Sequence, residues 1–237
     1  MKKLLISSLF AVLITILCTS QSFAQFRMSL GPEMGMNFNI HTGSDLSESG
    51  TGIGLVIGGQ VDMDFTQTIG LVTSMQFYDN RSGSTTQESS KQYQDNQGNP
   101  VTSTVSTENS ASLAYFMIEP LFKLKLPGSG LYFLAGPSIG FNIEGTGEME
   151  STETLPSPYT WDGQSNKRTL AKSKGSMKDL LARFELKFGS GYNIPVSNSI
   201  YLFPQLTFGY GITKVQSDVS WRILTIQALF GVKFRLI

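Results

Sequence analysis

The sequence predicts an all-β protein, an eight-stranded antiparallel up-and-down transmembrane β-barrel with a filled polar lumen. Three observations predict this fold. Apolar and polar residues alternate along the chain, and this alternation occurs in eight separate segments. The connections between these segments are alternately short and long. Successive side chains of a strand point to opposite faces. A barrel in lipid needs an apolar outer face and a polar interior, so this pattern suits a membrane.

The stretch TGIGLVIGGQVDMDF at residues 51–65 shows the alternation most clearly. Alternate positions from Ile53 to Phe65 form an apolar face, whereas the intervening face is small at its start and acidic at Asp62 and Asp64. Such segments are long enough to cross a bilayer as tilted strands, which takes about 9–11 residues. We predict strands at residues 26–40, 52–64, 69–78, 112–126, 131–143, 180–192, 200–212 and 222–236.

The connections predict an orientation. Short turns at 66–68, 127–130 and 193–199 are expected on the periplasmic side, together with both termini. Longer loops at 41–50, 79–111, 144–179 and 213–220 are expected outside the cell. Within 79–111, the turn sequence DNQGNP separates two polar stretches. It predicts that strands three and four continue into a polar hairpin, and a mobile polar loop is the alternative.

Residues 1–24 are predicted to be a cleavable secretory signal peptide, and residues 25–237 a single barrel domain. Lys2 and Lys3 precede an apolar run, and Ser22 and Ala24 occupy the positions that a signal peptidase requires. Cleavage would remove the only cysteine, Cys18. It would also leave 16 basic against 18 acidic residues, a net charge of −2. That balance does not favour nucleic-acid binding, which needs a basic surface.

The polar faces predict a lumen filled by ion pairs. Seven basic and six acidic residues would point inward, and near-neutrality is required because buried charges must be paired. An eight-stranded barrel is only wide enough for its own side chains, so we expect a polar core and no pore. The predicted structural network is Glu33, Asp62, Glu119, Lys123, Arg183, Glu185, Lys187 and Lys233; the other inward charges are Arg27, Asp64, Lys125, Glu144 and Arg235.

Aromatic residues and prolines fall at particular places in this scheme. Aromatics near the strand ends suggest girdles at both membrane surfaces: Phe38, Phe77, Tyr78, Phe116, Phe141 and Trp221 at the loop end, and Phe26, Phe65, Phe133, Tyr192 and Phe234 at the turn end. A proline within a strand removes a ladder donor. We therefore expect bulges at Pro32, Pro120, Pro137 and Pro204.

Few residues suggest chemistry. The only histidine, His41, lies near the first outer loop, and the candidate rim sites there combine it with Asp45 and Ser44 or with Asp79 and Ser82. Such loop residues are common, so no catalytic site is predicted. One histidine without a cysteine does not make a zinc site. Asp95 and Asp162 suit weak calcium binding, but turn formation explains them equally well. No metal site and no cofactor are predicted.

The chain resembles the PorT-like outer-membrane β-barrel proteins of Gram-negative bacteria. The resemblance is carried by the signal that ends at Ala24-Gln25, the eight-strand pattern and the final strand GVKFRLI at 231–237. It implies a barrel in the cell outer membrane and no defined activity. The final strand also resembles the signal that the barrel-assembly machinery reads, but it departs from that signal at Ile237, where an aromatic residue is usual.

Two classes of function remain. In the first, the barrel is an anchor in outer-membrane lipid, and loops 79–111 and 144–179 contact an unknown extracellular ligand or protein. In the second, the chain is a narrow channel or a lipid-modifying enzyme with a rim site. We expect the first class, with no catalytic activity.

Overall fold

A computed structural model describes residues 26–44, 49–95, 97–161, 163–217 and 220–236. The predicted signal peptide and Asp45 and Asp162 lie outside these ranges. Within these ranges, eleven strands form one sheet. They are β1 (Arg27–Thr42), β2 (Gly50–Asp64), β3 (Ile69–Asn80), β4 (Gly83–Gln94), β5 (Pro100–Lys125), β6 (Leu131–Thr154), β7 (Lys167–Ser176), β8 (Arg183–Tyr192), β9 (Ile194–Pro195), β10 (Ile200–Gly211) and β11 (Arg222–Arg235).

Eight of these strands close into a ring in which every neighbouring pair is antiparallel. The order around the ring is β1, β2, β3, β5, β6, β8, β10 and β11, and β11 pairs again with β1. Closure satisfies backbone groups within the sheet, which a structure in lipid requires. The predicted eight-stranded antiparallel barrel is confirmed.

Side-chain exposure alternates along the barrel strands as the sequence predicts. In β2, Ile53 is 63% exposed, whereas Val56, Gly58 and Gln60 are buried. The outward side chains are apolar and many of the inward side chains are polar. This arrangement is typical of a barrel whose outer surface contacts lipid. Among the described residues, no helix is long and apolar enough to cross a membrane.

The prolines are accommodated differently from the prediction. Pairing between β5 and β6 is interrupted from Glu119 to Leu121, where Pro120 lies opposite Pro137, and the register is the same on both sides of the gap. Pro32 lies in a similar gap between β1 and β11. The bulges occur elsewhere, for example between Gln76 and Asp79 of β3. The expectation of a bulge at each proline was therefore wrong, because a missing donor can be tolerated without an inserted residue.

Strands β5 and β6 continue past the barrel and form a second region, which we call the distal sheet. It consists of β4, residues 100–111 of β5, residues 144–154 of β6, and β7. The β4–β5 pairing confirms the predicted polar hairpin and not the mobile-loop alternative. The β6–β7 hairpin was not predicted, because the apolar alternation ends at Ile143. We call this end of the molecule the loop end and the opposite end the turn end.

Candidate functional site

The interior of the barrel is layered. The inward side chains of β5, taken from the loop end to the turn end, are Leu113, Tyr115, Met117, Glu119, Leu121 and Lys123, and all are buried. An apolar layer is therefore followed by a carboxylate, a second apolar layer and an ammonium group. The second apolar layer contains Val72, Leu121, Tyr132 and Leu134. Polar side chains thus occupy two levels that apolar side chains separate.

The level nearer the loop end contains three basic and three acidic side chains. Arg183 donates to Glu185 at 2.6 Å through Nε, and Lys187 pairs with Glu119, which also accepts a hydrogen bond from Ser138 at 3.1 Å. Arg81 contacts Asp79 at 2.5 Å and Glu185 at 3.7 Å. Equal numbers of opposite charges make this level neutral, as burial requires.

The level nearer the turn end is centred on Asp62. Its carboxylate accepts hydrogen bonds from Lys123 at 2.6 and 2.8 Å and also pairs with Lys233. The two ammonium groups lie 5.2 and 5.4 Å from the centre of the Tyr132 ring, within range of a cation–π contact. Lys123 also reaches Asp64 at 2.9 Å, so the level extends towards the turn end.

The structure brings seven of the eight predicted network residues into these two levels. Glu33 is also buried, but its described partner is the Ser74 hydroxyl at 3.4 Å, and no described basic group pairs with it. Of the other residues predicted to point inward, Arg27, Asp64, Lys125 and Arg235 line an open cavity of about 580 Å³ at the turn end. Glu144 is exposed, so its predicted place in the lumen was wrong.

Asp79 and Arg81 belong to the interior network, although the alternation does not predict it. Both side chains are fully buried, whereas Phe77 and Tyr78 before them are two consecutive exposed residues. The register shift between Gln76 and Asp79 is a β-bulge, and a bulge exchanges the two faces of a strand. Strict alternation places Asp79 on the wrong face beyond that point. A pair of adjacent aromatic residues is the only sequence signal of the change.

Trp221 closes the loop end of the lumen. The sequence places it in the lipid-facing girdle, but its side chain is only 7% exposed and packs with Leu113, Tyr115, Met117, Val215 and Ile223. That prediction was wrong because Trp221 lies two residues before the inward-facing Ile223, and the alternation of β11, continued by one step, points its side chain into the lumen. Its indole Nε1 donates to Nδ1 of His41 at 3.0 Å, and the two rings lie 5.4 Å apart.

The residues suggested for a rim catalytic site have other partners. His41 accepts the Trp221 hydrogen bond, and Asp79 is bound by Arg81 and Asn37. The Ser82 hydroxyl bonds to Asn80 and Ser112 instead. The described His41, Asp79 and Ser82 side chains are therefore not hydrogen-bonded to one another. Asp95 accepts two backbone hydrogen bonds at 2.8 Å in its turn, and the described residues contain no group of three candidate metal ligands.

A polar cluster holds the far tip of the distal sheet. The buried Glu153 carboxylate accepts hydrogen bonds from Ser103 at 2.6 Å, from Tyr93 at 2.7 Å and from Arg168 at 2.8 and 3.1 Å. The Arg168 guanidinium lies 3.4 Å from the centre of the Trp161 ring. Burial raises the pKa of Glu153, but these donors outweigh it and lower that pKa to about 2. The carboxylate therefore joins β6 to β4, β5 and β7 at the tip of the distal sheet.

Residues 20–217 match the family described as outer membrane protein β-barrel domain. The chain belongs to this family. Its location is accordingly an outer membrane. Comparison with curated proteins gives no match.

Solved structures of three other proteins are similar to this chain over most of its length. Ail, the attachment invasion locus protein of Yersinia pestis, is 11% identical, with a TM-score of 0.32, and the match covers 88% of this chain and 99% of Ail. Neisserial surface protein A is 10% identical, with a TM-score of 0.34 and coverage of 86% and 96%. The outer membrane protease OmpT of Escherichia coli is 9% identical, with a TM-score of 0.34 and coverage of 90% and 98%.

Proposed function

We propose that the barrel anchors the distal sheet at the cell surface, where that sheet contacts an extracellular ligand or protein. The observation that carries this proposal is the continuation of β5 and β6 beyond the ring. β5 has 26 residues, and 12 of them, Pro100 to Ala111, pair with β4 beyond the barrel. At about 3.4 Å per residue this part extends roughly 40 Å. An extension of that length would place most of the distal sheet outside the membrane.

The chemistry of the distal sheet suits contact with a polar partner. One face carries rows of Ser and Thr side chains with interspersed charges, and β7 is exposed along its whole length. Lys172 bridges Glu148 at 3.4 Å and Glu150 at 2.7 Å, so charges of both signs lie side by side on this face. The proposed partner-binding surface is the part of segments 79–111 and 144–179 that forms the distal sheet.

The interior supports an anchor better than a channel. Ion pairs between buried side chains occupy the lumen at each level, and two apolar layers lie across it. A permeating ion would have to separate buried pairs such as Glu119–Lys187, which costs several kcal/mol. We also propose that the chain has no catalytic activity, because the rim residues hydrogen-bond elsewhere.

The proposal also covers how the chain is exported and inserted into the membrane. We propose that residues 1–24 are removed, that the barrel-assembly machinery inserts residues 25–237, and that the chain belongs to the PorT-like branch of the family. Amino-terminal sequencing of protein from outer membranes checks the cleavage, with Gln25 expected first. The purified protein should also migrate differently on gels with and without heating. Release into the soluble periplasmic fraction without detergent would contradict the proposal.

Planar-bilayer recording separates an anchor from a channel. We expect no steady unitary conductance from the intact protein, with the change in gel mobility on heating as the control for a folded barrel in both forms. A trimmed variant lacking residues 83–111 and 146–176 is the matched comparison. It keeps the hydrogen bonds from Arg81 N to Leu113 O at 2.7 Å and from Met177 N to Gly145 O at 2.9 Å, which bridge the cut ends. Conductance of either form would contradict the anchor function.

A further inference from the structure

A cavity lies where the distal sheet meets the loop end of the barrel. Its volume is about 270 Å³. The His41 and Trp221 rings line it on the barrel side, together with Met177, and Ala111, Gly147 and Met149 line it on the sheet side. The hydrogen bond from Trp221 to His41 fixes the two rings. The cavity therefore has a rigid aromatic wall and a wall of small or flexible side chains.

The lining suits an uncharged ligand. Its only charged residue is Glu148, whose carboxylate pairs with Lys172 at 3.4 Å and Lys174 at 3.3 Å. The other described lining residues are neutral, so a charged ligand would lose its hydration without gaining an unpaired opposite charge, which is unfavourable. Methionine and aromatic side chains instead offer polarisable surfaces to an aromatic ring.

The packing of the sheet does not require a glycine at position 147. A Cβ atom at this position would meet only Met177 Cγ at 3.6 Å and Met177 Sδ at 3.8 Å, which are ordinary contacts, and Ser110 O at 4.0 Å. A larger side chain would therefore fit and fill the cavity. Gly83 differs, because a Cβ there would lie 2.4 Å from the His41 ring. The glycine at 147 thus leaves open a volume that the fold itself does not need.

We propose that this cavity binds a small uncharged molecule built on an aromatic ring. An apolar cavity of about 150 Å³ accommodates benzene, and drug-sized ligands occupy about 300–1,000 Å³. The volume here therefore suits one ring with a short substituent, or two fused rings. This site adds small-molecule binding to the anchor function and does not depend on it.

Quenching of Trp221 fluorescence tests the site directly. The sequence has two tryptophans, so Trp161→Phe leaves Trp221 as the only one. This variant, in lipid vesicles without detergent, is titrated with 4-bromobenzyl alcohol, whose bromine quenches a neighbouring indole. We expect saturable quenching by this probe and none by 4-bromobenzoate, which has the same ring and a negative charge.

Two glycines that face each other across β6 and β7 provide a matched pair of variants. Gly147→Leu, added to Trp161→Phe, should weaken binding at least tenfold because the new side chain fills the cavity. Gly175→Leu should leave binding unchanged, because Gly175 does not line the cavity and a Cβ there meets nothing within 4 Å. Should Gly147→Leu fail to fold, Ala111→Leu fills the same space from β5.

The outcomes decide the proposal. Saturable quenching that both cavity-filling variants weaken and Gly175→Leu retains would support it. Quenching that is not saturable, or that is equal in all variants, would overturn it, because the probe would then act from the lipid. Equal quenching by 4-bromobenzoate would overturn the assignment to uncharged ligands. Bilayer conductance is measured separately, so failure here is distinct from failure of the anchor function.

Discussion

Removal of one charge from the Glu119–Lys187 pair should destabilise the barrel strongly. Both side chains are fully buried. Lys187→Met removes the ammonium group and leaves the Glu119 carboxylate with only the Ser138 hydroxyl among its described partners. We expect a loss of about 3–5 kcal/mol in the free energy of unfolding, the usual cost of breaking a buried ion pair from one side.

The second half of the experiment removes both charges. Adding Glu119→Gln to Lys187→Met leaves no unpaired buried charge, so most of the lost stability should return. An exposed pair of similar geometry supplies the control. Lys172 contacts Glu150 at 2.7 Å, but its side chain is 58% exposed. Lys172→Met should therefore cost no more than about 1 kcal/mol.

Urea titration of folding into lipid vesicles, followed by gel mobility without heating, measures these free energies. The double variant should be more stable than Lys187→Met alone. A Lys187→Met variant within about 0.5 kcal/mol of the unaltered protein would refute the reasoning, since that is the range of ordinary surface changes. Glu119→Gln is also measured alone. A double variant whose loss of stability equals the sum of the losses of Lys187→Met and Glu119→Gln would refute the reasoning too, because the two charges would then not interact.

Three further predictions follow. Ile57 is 44% exposed on the outer face, and Ile57→Arg should cost about 2–4 kcal/mol in the same titration, with no rescue by any change in the lumen. The pKa of Glu153 is lowered from 4.5 to about 2, so its stabilisation of the sheet tip is complete above about pH 5 and is lost as the pH falls towards 2. Protease cleavage of the tip against pH measures this, and cleavage that begins near neutral pH would contradict it. Cysteines at Gln97 and Gln164 should react with an impermeant thiol reagent on intact cells and one at Ser129 should not; the reverse pattern would invert the barrel.

The barrel itself could be predicted from the sequence because its information is local and periodic. An alternating segment fixes which residues share a face, and connection lengths fix which strands are neighbours. Ile57 and Phe230, for example, are exposed as the alternation requires. The same rule predicts which charged residues lie in the lumen, because the residues between the outward apolar positions point inward.

The distal sheet and the closed loop end depend on contacts between residues far apart in the chain. Residues 144–154 have no apolar periodicity and form a strand because β5 and β7 lie beside them. The bulge after Gln76 turns Asp79 and Arg81 inward, and a single inserted residue leaves almost no trace in composition.

The sequence by itself determined the ring of strands, its lipid-facing side and most of its inward charges, because a period of two assigns faces without knowledge of the partner strand. Only the tertiary structure decided which charges pair, how Trp221 closes the lumen over His41, and where the cavity beneath the distal sheet lies. The alternation gives the face on which a side chain lies but not its partner, and these features join side chains of strands that are far apart in the chain, as in the Trp221–His41 hydrogen bond and the Glu119–Lys187 pair.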